Sequence, residues 1–286
     1  MKIITDIRCA EYSSRGHPER PARILDTLAV LKAATNPALA WAEPLPVAEI
    51  SLLRAHSPHH LQRLEAPYEF DADTPTYPNL AAHARRSVGG ALHALQSARG
   101  GEMAFSLMRP PGHHANGHQA MGFCYLNSIA IAALEARAAG VKRVAVFDFD
   151  VHHGNGTEDI LVDEPGCTFI SVHQHPCYPG TGATHRGGNC YNFPVPPATP
   201  RAGYRAVLEK ALDRLKQSQP DLVAVSAGFD AYRKDPLAEG TLEAEDFHWL
   251  GESFRKMSVS CFSILEGGYS SDLPQLVLAY LAGLAG

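Results

Sequence analysis

Four apolar residues, Val144-Ala-Val-Phe147, run directly into Asp148-Phe-Asp-Val-His-His-Gly-Asn-Gly156. A short apolar run that turns abruptly polar and glycine-rich reads as the C-terminal end of a buried parallel strand. Side chains alternate along a strand, so Asp148 and Asp150 point to one face. His152 stays on that face if the extended backbone continues. One Asp at a strand end is usually a helix cap or a turn residue. Two carboxylates and an imidazole on one side of a buried strand end are costly without a cation. Asp oxygen and His nitrogen are ordinary zinc ligands, and a site with few protein ligands keeps room for water.

The rest of the chain repeats the theme of a strand opening into a polar loop. Residues 1–8 are expected to form a first strand. The turn His17-Pro-Glu-Arg-Pro21 leads into a helix with apolar positions Ile24, Leu25, Leu28 and Leu31, stopped at Asn36-Pro37. Ser57-Pro58 has the pattern of an N-cap followed by Pro at the first helical position. Residues 66–78 read as an exposed loop. Further helices are expected near 79–98, 126–139, 201–217, 243–257 and 272–283, with Gly140 closing the second of these. Strands are expected at 103–108, 143–149, 167–172, 222–226 and 259–265. A long Gly/Pro-rich loop spans 174–190. Alternating strands and helices predict α/β architecture: a mainly parallel central sheet, helices on both faces, and a single domain over 1–286.

The totals fit that reading. With 286 residues, 45% hydrophobic and 19% charged, the chain has ample core. A net charge of −5 with no basic patch or tail argues against a nucleic-acid partner. No apolar run approaches the ~18 residues of a membrane span. The stretch Met1-Lys-Ile-Ile-Thr-Asp6 lacks a signal-peptide core, so a cytoplasmic location is expected. Six scattered cysteines without a Cys-x-x-Cys pair exclude a zinc ribbon or thioredoxin motif.

Four loops after strands carry the unusual polar residues: 109–115 after the 103–108 strand, Asp150 and His152 after 143–149, Asp230 after 222–226, and Tyr269 after 259–265. A parallel sheet puts all four on one rim. In chain order the motifs are Arg-Pro-Pro-Gly-His-His-Ala (109–115), Gly-Phe-Cys-Tyr-Leu-Asn (122–127), Asp-Phe-Asp-Val-His-His-Gly-Asn-Gly (148–156), Tyr-Pro-Gly-Thr-Gly (178–182), Ser-Ala-Gly-Phe-Asp (226–230) and Glu-Gly-Gly-Tyr (266–269). This set resembles the histone deacetylase family of the arginase–deacetylase superfamily, and in particular its class II-like, prokaryotic amidohydrolases.

The resemblance implies roles residue by residue. Asp150, His152 and Asp230 match zinc ligands. His113 and His114 match the tandem active-site histidines, with Asp148 behind the first and Asn155 behind the second; Asn there is the class II-like choice. Tyr269 matches the tyrosine that hydrogen-bonds the substrate carbonyl, and Gly267-Gly268 would let its loop move. Asp148, Asp150, His152, Ser171 and Val172 match a structural potassium site. A second potassium site would involve the 160–167 segment. Phe123 and Tyr178 match aromatics that sandwich an acyl-lysine stem, Gly122 would offer a carbonyl, and Asp71 matches an acidic rim residue, with Asp73 as rival. Leu237 stands seven residues after Asp230, where polyamine-specific relatives can carry Glu.

The implied activity is zinc-dependent removal of acetyl or another short acyl group from the lysine side-chain amine. A small N-acyl amine such as an acetylpolyamine is the alternative substrate. A non-catalytic acyl-lysine binding module is a third reading, which a missing tyrosine or histidine would favour. Zn²⁺ and Fe²⁺ both suit an Asp₂His set, and affinity alone favours Zn²⁺. His173 and His175 are expected near the rim without a role, and Cys124 is expected to be structural.

Overall fold

The computed structural model describes residues 1–66 and 69–286; residues 67 and 68, inside the expected 66–78 loop, lie outside the described residues. Eight strands form one sheet: β1 (Lys2–Ile4), β2 (Ala40–Ala42), β3 (Ala104–Ser106), β4 (Val144–Asp148), β5 (Cys167–Gln174), β6 (Cys190–Val195), β7 (Leu222–Ala227) and β8 (Ser260–Leu265). Their order is β2-β1-β3-β8-β7-β4-β5-β6, and every pairing is parallel.

The period-two alternation of the strands sorts the core. Ala145 and Phe147 of β4, with Val223 and Val225 of β7, face one layer. It holds α1 (Ala22–Ala33), α7 (Arg201–Gln217), α8 (Ala244–Lys256) and α9 (Leu273–Ala285). Val144, Val146, Leu222 and Ala224 face the other layer, which holds α4 (Leu80–Arg99), α5 (Ser128–Ala138) and α6 (Asn155–Leu161). A third cluster packs α2 (Glu49–Leu52) and α3 (Pro58–Arg63) against α4 and the 120–131 segment. Ser57 caps α3 as its sequence indicates, accepting a hydrogen bond from the His60 amide.

The chain leaves β4 toward β5 and β7 toward β8, in opposite directions across the sheet. β4 and β7 are neighbours in register, with Asp148 opposite Ser226. Diverging connections open a crevice beyond these strand ends, the usual ligand position in an open α/β sheet.

Several expectations need correction. The expected first strand ends at Ile4, and residues 7–10 form a 3₁₀ turn capped by Asp6. The expected 66–78 loop is not exposed throughout: Thr74 is fully buried and Tyr77 nearly so. The expected 174–190 loop is shorter, because β5 runs to Gln174, and the edge strand β6 follows it. Short β2, α2 and α6 were not expected at all. Among the described residues no helix is long and apolar enough to cross a membrane.

Candidate active site

Beyond β4 and β7, three side chains converge. His152 Nδ1 lies 3.2 Å from Asp150 Oδ1 and 3.1 Å from Asp230 Oδ2. One donor atom from each of the three residues lies within 4.8 Å of the other two. Both carboxylates are fully buried. The backbone is shaped to them: a Cβ on Gly228 would meet Asp150 Oδ2 at 2.0 Å, and one on Gly267 would meet Asp230 Oδ2 at 2.1 Å. The Gly267 amide donates to Asp150 Oδ2 at 2.7 Å, and the Val151 amide to Asp230 Oδ1 at 2.8 Å.

The charges are strained as a cation site requires. Burial and the nearby Asp150 carboxylate push Asp230 up to about 7. Burial acts on Asp150 in the same sense, but the His113 and His152 rings outweigh it and hold Asp150 far below the usual carboxylate range. Two buried carboxylates and an imidazole in this arrangement fit a divalent cation of the zinc type.

The tandem histidines sit against this cluster and differ in their partners. His113 Nδ1 is 3.0 Å from the Asp148 carboxylate. Burial opposes charge on His113, yet the Asp150 and Asp148 carboxylates raise it to about 10. His114 Nδ1 meets the neutral amide oxygen of Asn155 at 2.7 Å. Burial and the neighbouring His113 and His152 rings keep His114 well below the usual histidine range. Helix α6 begins at Asn155, and its Gly156 has no room for a Cβ against Ala115 O at 2.3 Å, so it packs directly on the tandem-histidine loop.

A cavity of about 390 Å³ opens onto the cluster, lined by His17, Pro18, Asp73, His114, Gly122, Phe123, His152, Tyr178, Leu237 and Tyr269. Gly122, in the left-handed region at φ +55°, is wedged where a Cβ would meet His114 at 2.7 Å and Tyr178 at 2.9 Å. The Phe123 and Tyr269 rings meet edge to face at 5.7 Å, and those of His114 and Tyr178 at 5.1 Å. Of the two acids expected at the rim, Asp73 lines the cavity and Asp71 does not. Asp71 Oδ1 accepts the Asp73 amide at 2.9 Å and so shapes the turn, which presents Asp73 to the cavity.

The backbone around Tyr269 is held by side chains from other elements. Asp235 accepts the Tyr269 amide at 2.7 Å, and Arg23 donates to Gly268 O at 2.8 Å and to Glu266 O. The Arg23 guanidinium lies 4.8 Å from the centre of the Tyr269 ring. Gly267 and Gly268 also sit in crowded positions: a Cβ on Gly268 would press on Leu273 at 2.8 Å and Phe229 at 3.0 Å.

Behind Arg23, Glu19 pairs with it at 3.2 Å and with the fully buried Arg109 at 2.5 Å. Burial works against the Glu19 charge, but Arg109 and then Arg23 hold its pKa below the usual glutamate range. This contribution to stability is complete above the unfolded-state pKa and is lost as pH falls through the lower folded value. Glu19→Ala strands two buried guanidinium groups, so a loss of ~3–5 kcal/mol is expected in denaturant melts at neutral pH. A much smaller loss contradicts the triad's role.

Asp148 and Ser171 stand in register on adjacent strands, with Val172 next along β5, which brings three of the five residues matched to a potassium site together. In the 160–167 segment, the Leu161 and Cys167 carbonyls accept the Asn189 side-chain amide at 2.7 and 3.1 Å. His173 is fully buried, its ring 4.5 Å from that of His153, and not at the rim. Cys124 is fully buried, and that burial raises its thiol well above the ordinary range. Sequence reasoning missed Glu19, Arg23 and Glu266 as parts of the site. Their signal was present only as charged residues inside or beside motifs.

The description "Histone deacetylase domain" matches residues 17–284. A probable deacetylase of Methanothermobacter thermautotrophicus is 38% identical over 96% of this chain and 88% of its own length. The histone deacetylase-like amidohydrolase of Pseudomonas aeruginosa is 36% identical over 96% of this chain and 78% of its own. The crystal structure of an acetylpolyamine aminohydrolase from Burkholderia pseudomallei matches with a TM-score of 0.93 at 27% identity, covering all of this chain and 99% of that one. Since the matched span takes in all four rim loops that converge on Asp150, His152 and Asp230, the chain belongs to the histone deacetylase family.

Proposed function

We propose that this family member is a zinc-dependent amidohydrolase that removes acetyl or another short acyl group from the side-chain amine of lysine. The observation that carries the reading is the meeting of Asp150, His152 and Asp230 in one cluster whose His152 lines a cavity together with His114 and Tyr269. These three residues would hold the zinc ion, which acidifies water and polarises an amide carbonyl.

The chain's own groups divide the remaining work. Asn155 fixes His114 by Nδ1, leaving Nε2 to accept a proton. A neutral partner and a depressed pKa keep His114 in the form a general base needs. It takes the proton from the attacking water and returns it to the leaving amine. His113, held charged by Asp148, supplies fixed positive charge beside it. Tyr269, which lines the same cavity, donates to the oxygen that becomes negative. Tyr269→Phe keeps the ring but removes that donor, so kcat is expected to fall ~10²–10³-fold with KM little changed. An unchanged kcat overturns the tyrosine's role. Phe123, Tyr178 and Leu237 give the channel apolar walls suited to an aliphatic stem. Asp148, Asp150, His152, Ser171 and Val172 would hold a structural potassium ion through oxygen atoms.

An acetylpolyamine or other small N-acyl amine is the second reading. Asp73 at the mouth can meet a distal ammonium, whereas Leu237, at the mouth too, cannot. Acetate release from an acetyl-lysine peptide and from acetylputrescine, compared as kcat/KM, decides between them. The first reading expects the peptide to be preferred, and preference for the polyamine overturns it.

A further inference from the structure

Glu266 is fully buried, directly after β8, and the groups that bond its carboxylate are all neutral. Its Oε2 accepts the Gly112 amide at 2.7 Å and the His113 amide at 3.1 Å. Its Oε1 lies 3.4 Å from the Ser226 hydroxyl. A buried acid is costly, and burial, which the nearby His113 ring only partly offsets, pushes this one up to about 7. Gln or Leu would fill the same space at lower cost, so the oxygens themselves need an explanation.

They have one in the topology. Gly112 and His113 belong to the loop after β3, Ser226 is the penultimate residue of β7, and Glu266 opens the loop that carries Tyr269. One side chain thus ties the loop after β3 and the Tyr269 loop to the end of β7. Two successive amides converging on a single oxygen form an anion-binding concavity, and a carboxylate is its strongest acceptor. The backbone allows this only because residue 112 is glycine: a Cβ there would meet Leu126 O at 2.7 Å and Ser128 N at 2.8 Å. At its own backbone, Glu266 donates to Ala227 O at 3.0 Å and accepts from Arg23. Both of its ends are therefore anchored.

We propose that Glu266 is a positioning residue that sets the His113–His114 backbone against Tyr269 and the Asp150–His152–Asp230 cluster. Its kinetic consequence rests on the amidohydrolase reading above. Its grip on the two amides does not.

Glu266→Met keeps the volume and removes both acceptors. Here kcat is expected to fall ~10²-fold, the scale of a small misplacement of catalytic groups. KM is expected to change less than about 3-fold, since Phe123, Tyr178 and Leu237, the apolar walls of the channel, make no contact with Glu266, with metal content per chain unchanged. Glu266→Gln retains one acceptor oxygen and is expected to recover kcat to within about 10-fold of wild type. Amide hydrogen exchange at Gly112 and His113 is read in parallel and requires no catalysis. Both amides are expected among the most protected of the loop in the wild type, and at least about 10-fold faster in whichever variant folds. The proposal is overturned if Glu266→Met keeps kcat within about 3-fold. It is overturned equally if wild-type Gly112 and His113 exchange like exposed loop amides, or if kcat falls only with loss of metal and Gln fails to restore it. Wild-type protein that hydrolyses neither amide substrate sinks the amidohydrolase reading alone, and the exchange data still decide the grip.

Discussion

Asp230→Asn is expected to lower kcat/KM for amide hydrolysis by ~10³-fold or more, the scale of losing several kcal/mol of transition-state charge stabilisation. The substitution preserves shape, and one oxygen still accepts the Val151 amide that Asp230 Oδ1 now accepts at 2.8 Å. What it removes is one of two buried negative charges. At this depth a cation's attraction to each carboxylate is weakly screened, so halving the anionic charge costs far more than at a surface. Asp230 is also the only member of the cluster that comes from β7; Asp150 and His152 both follow β4. Loss of its charge leaves the cation held from one side of the crevice. Elemental analysis of purified protein is expected to show metal well below one ion per chain, with far-ultraviolet circular dichroism unchanged. Full occupancy and near-normal hydrolysis in this variant contradict the assignment.

His114→Ala is expected to lower kcat ~10²–10⁴-fold while metal content stays at the wild-type level. Two adjacent imidazoles differ in the charge of their partners. His113 faces an anionic partner, His114 a neutral one, at 3.0 and 2.7 Å respectively. A group held protonated cannot begin as a base. One held neutral by burial and by nearby positive charge can accept a proton without prior loss of its own. Neutral His114 persists as pH falls below the usual histidine range, because its pKa is lowered, so the acid limb of kcat/KM is expected below that range. Added imidazole is expected to restore part of the rate in His114→Ala, by filling the space with a diffusible base. A variant within a few-fold of wild type moves the base function elsewhere.

Much of the sheet was legible because parallel strands announce their C-terminal ends. Val144–Phe147 and Leu222–Val225 are continuous apolar runs, buried on both faces, that break into polar loops. Edge elements gave weaker signals. β6 contains Asn192 and Pro194, and Pro is tolerated because this strand pairs on one side only. β2 has three residues, with Trp41 exposed, and so no alternation to read. Helix α6 starts inside a glycine-bearing motif, where composition points to a loop.

The site divides along similar lines. Asp150 and His152 are near neighbours in sequence, and Asp230 lies just beyond the end of another strand, so spacing and topology sufficed. Glu19, Arg23, Arg109 and Glu266 could not be read that way. A charged residue is inside only when a partner distant in the chain meets it, and these partners lie up to 245 residues away. Two acids in one loop, Asp71 and Asp73, differ only through the turn that one builds for the other. Gly267 and Gly268 could serve motion or close approach, and only the neighbouring atoms show the crowding.

The central claim is one catalytic cation held jointly from the ends of β4 and β7. Anomalous diffraction across the zinc absorption edge, on crystals of protein purified without chelator, locates it directly. The expected result is a strong peak ~2.0–2.2 Å from an oxygen of Asp150, an oxygen of Asp230 and a nitrogen of His152. A map with no peak between those residues, or with its peak instead among His113, Cys124 and Glu266, contradicts the account.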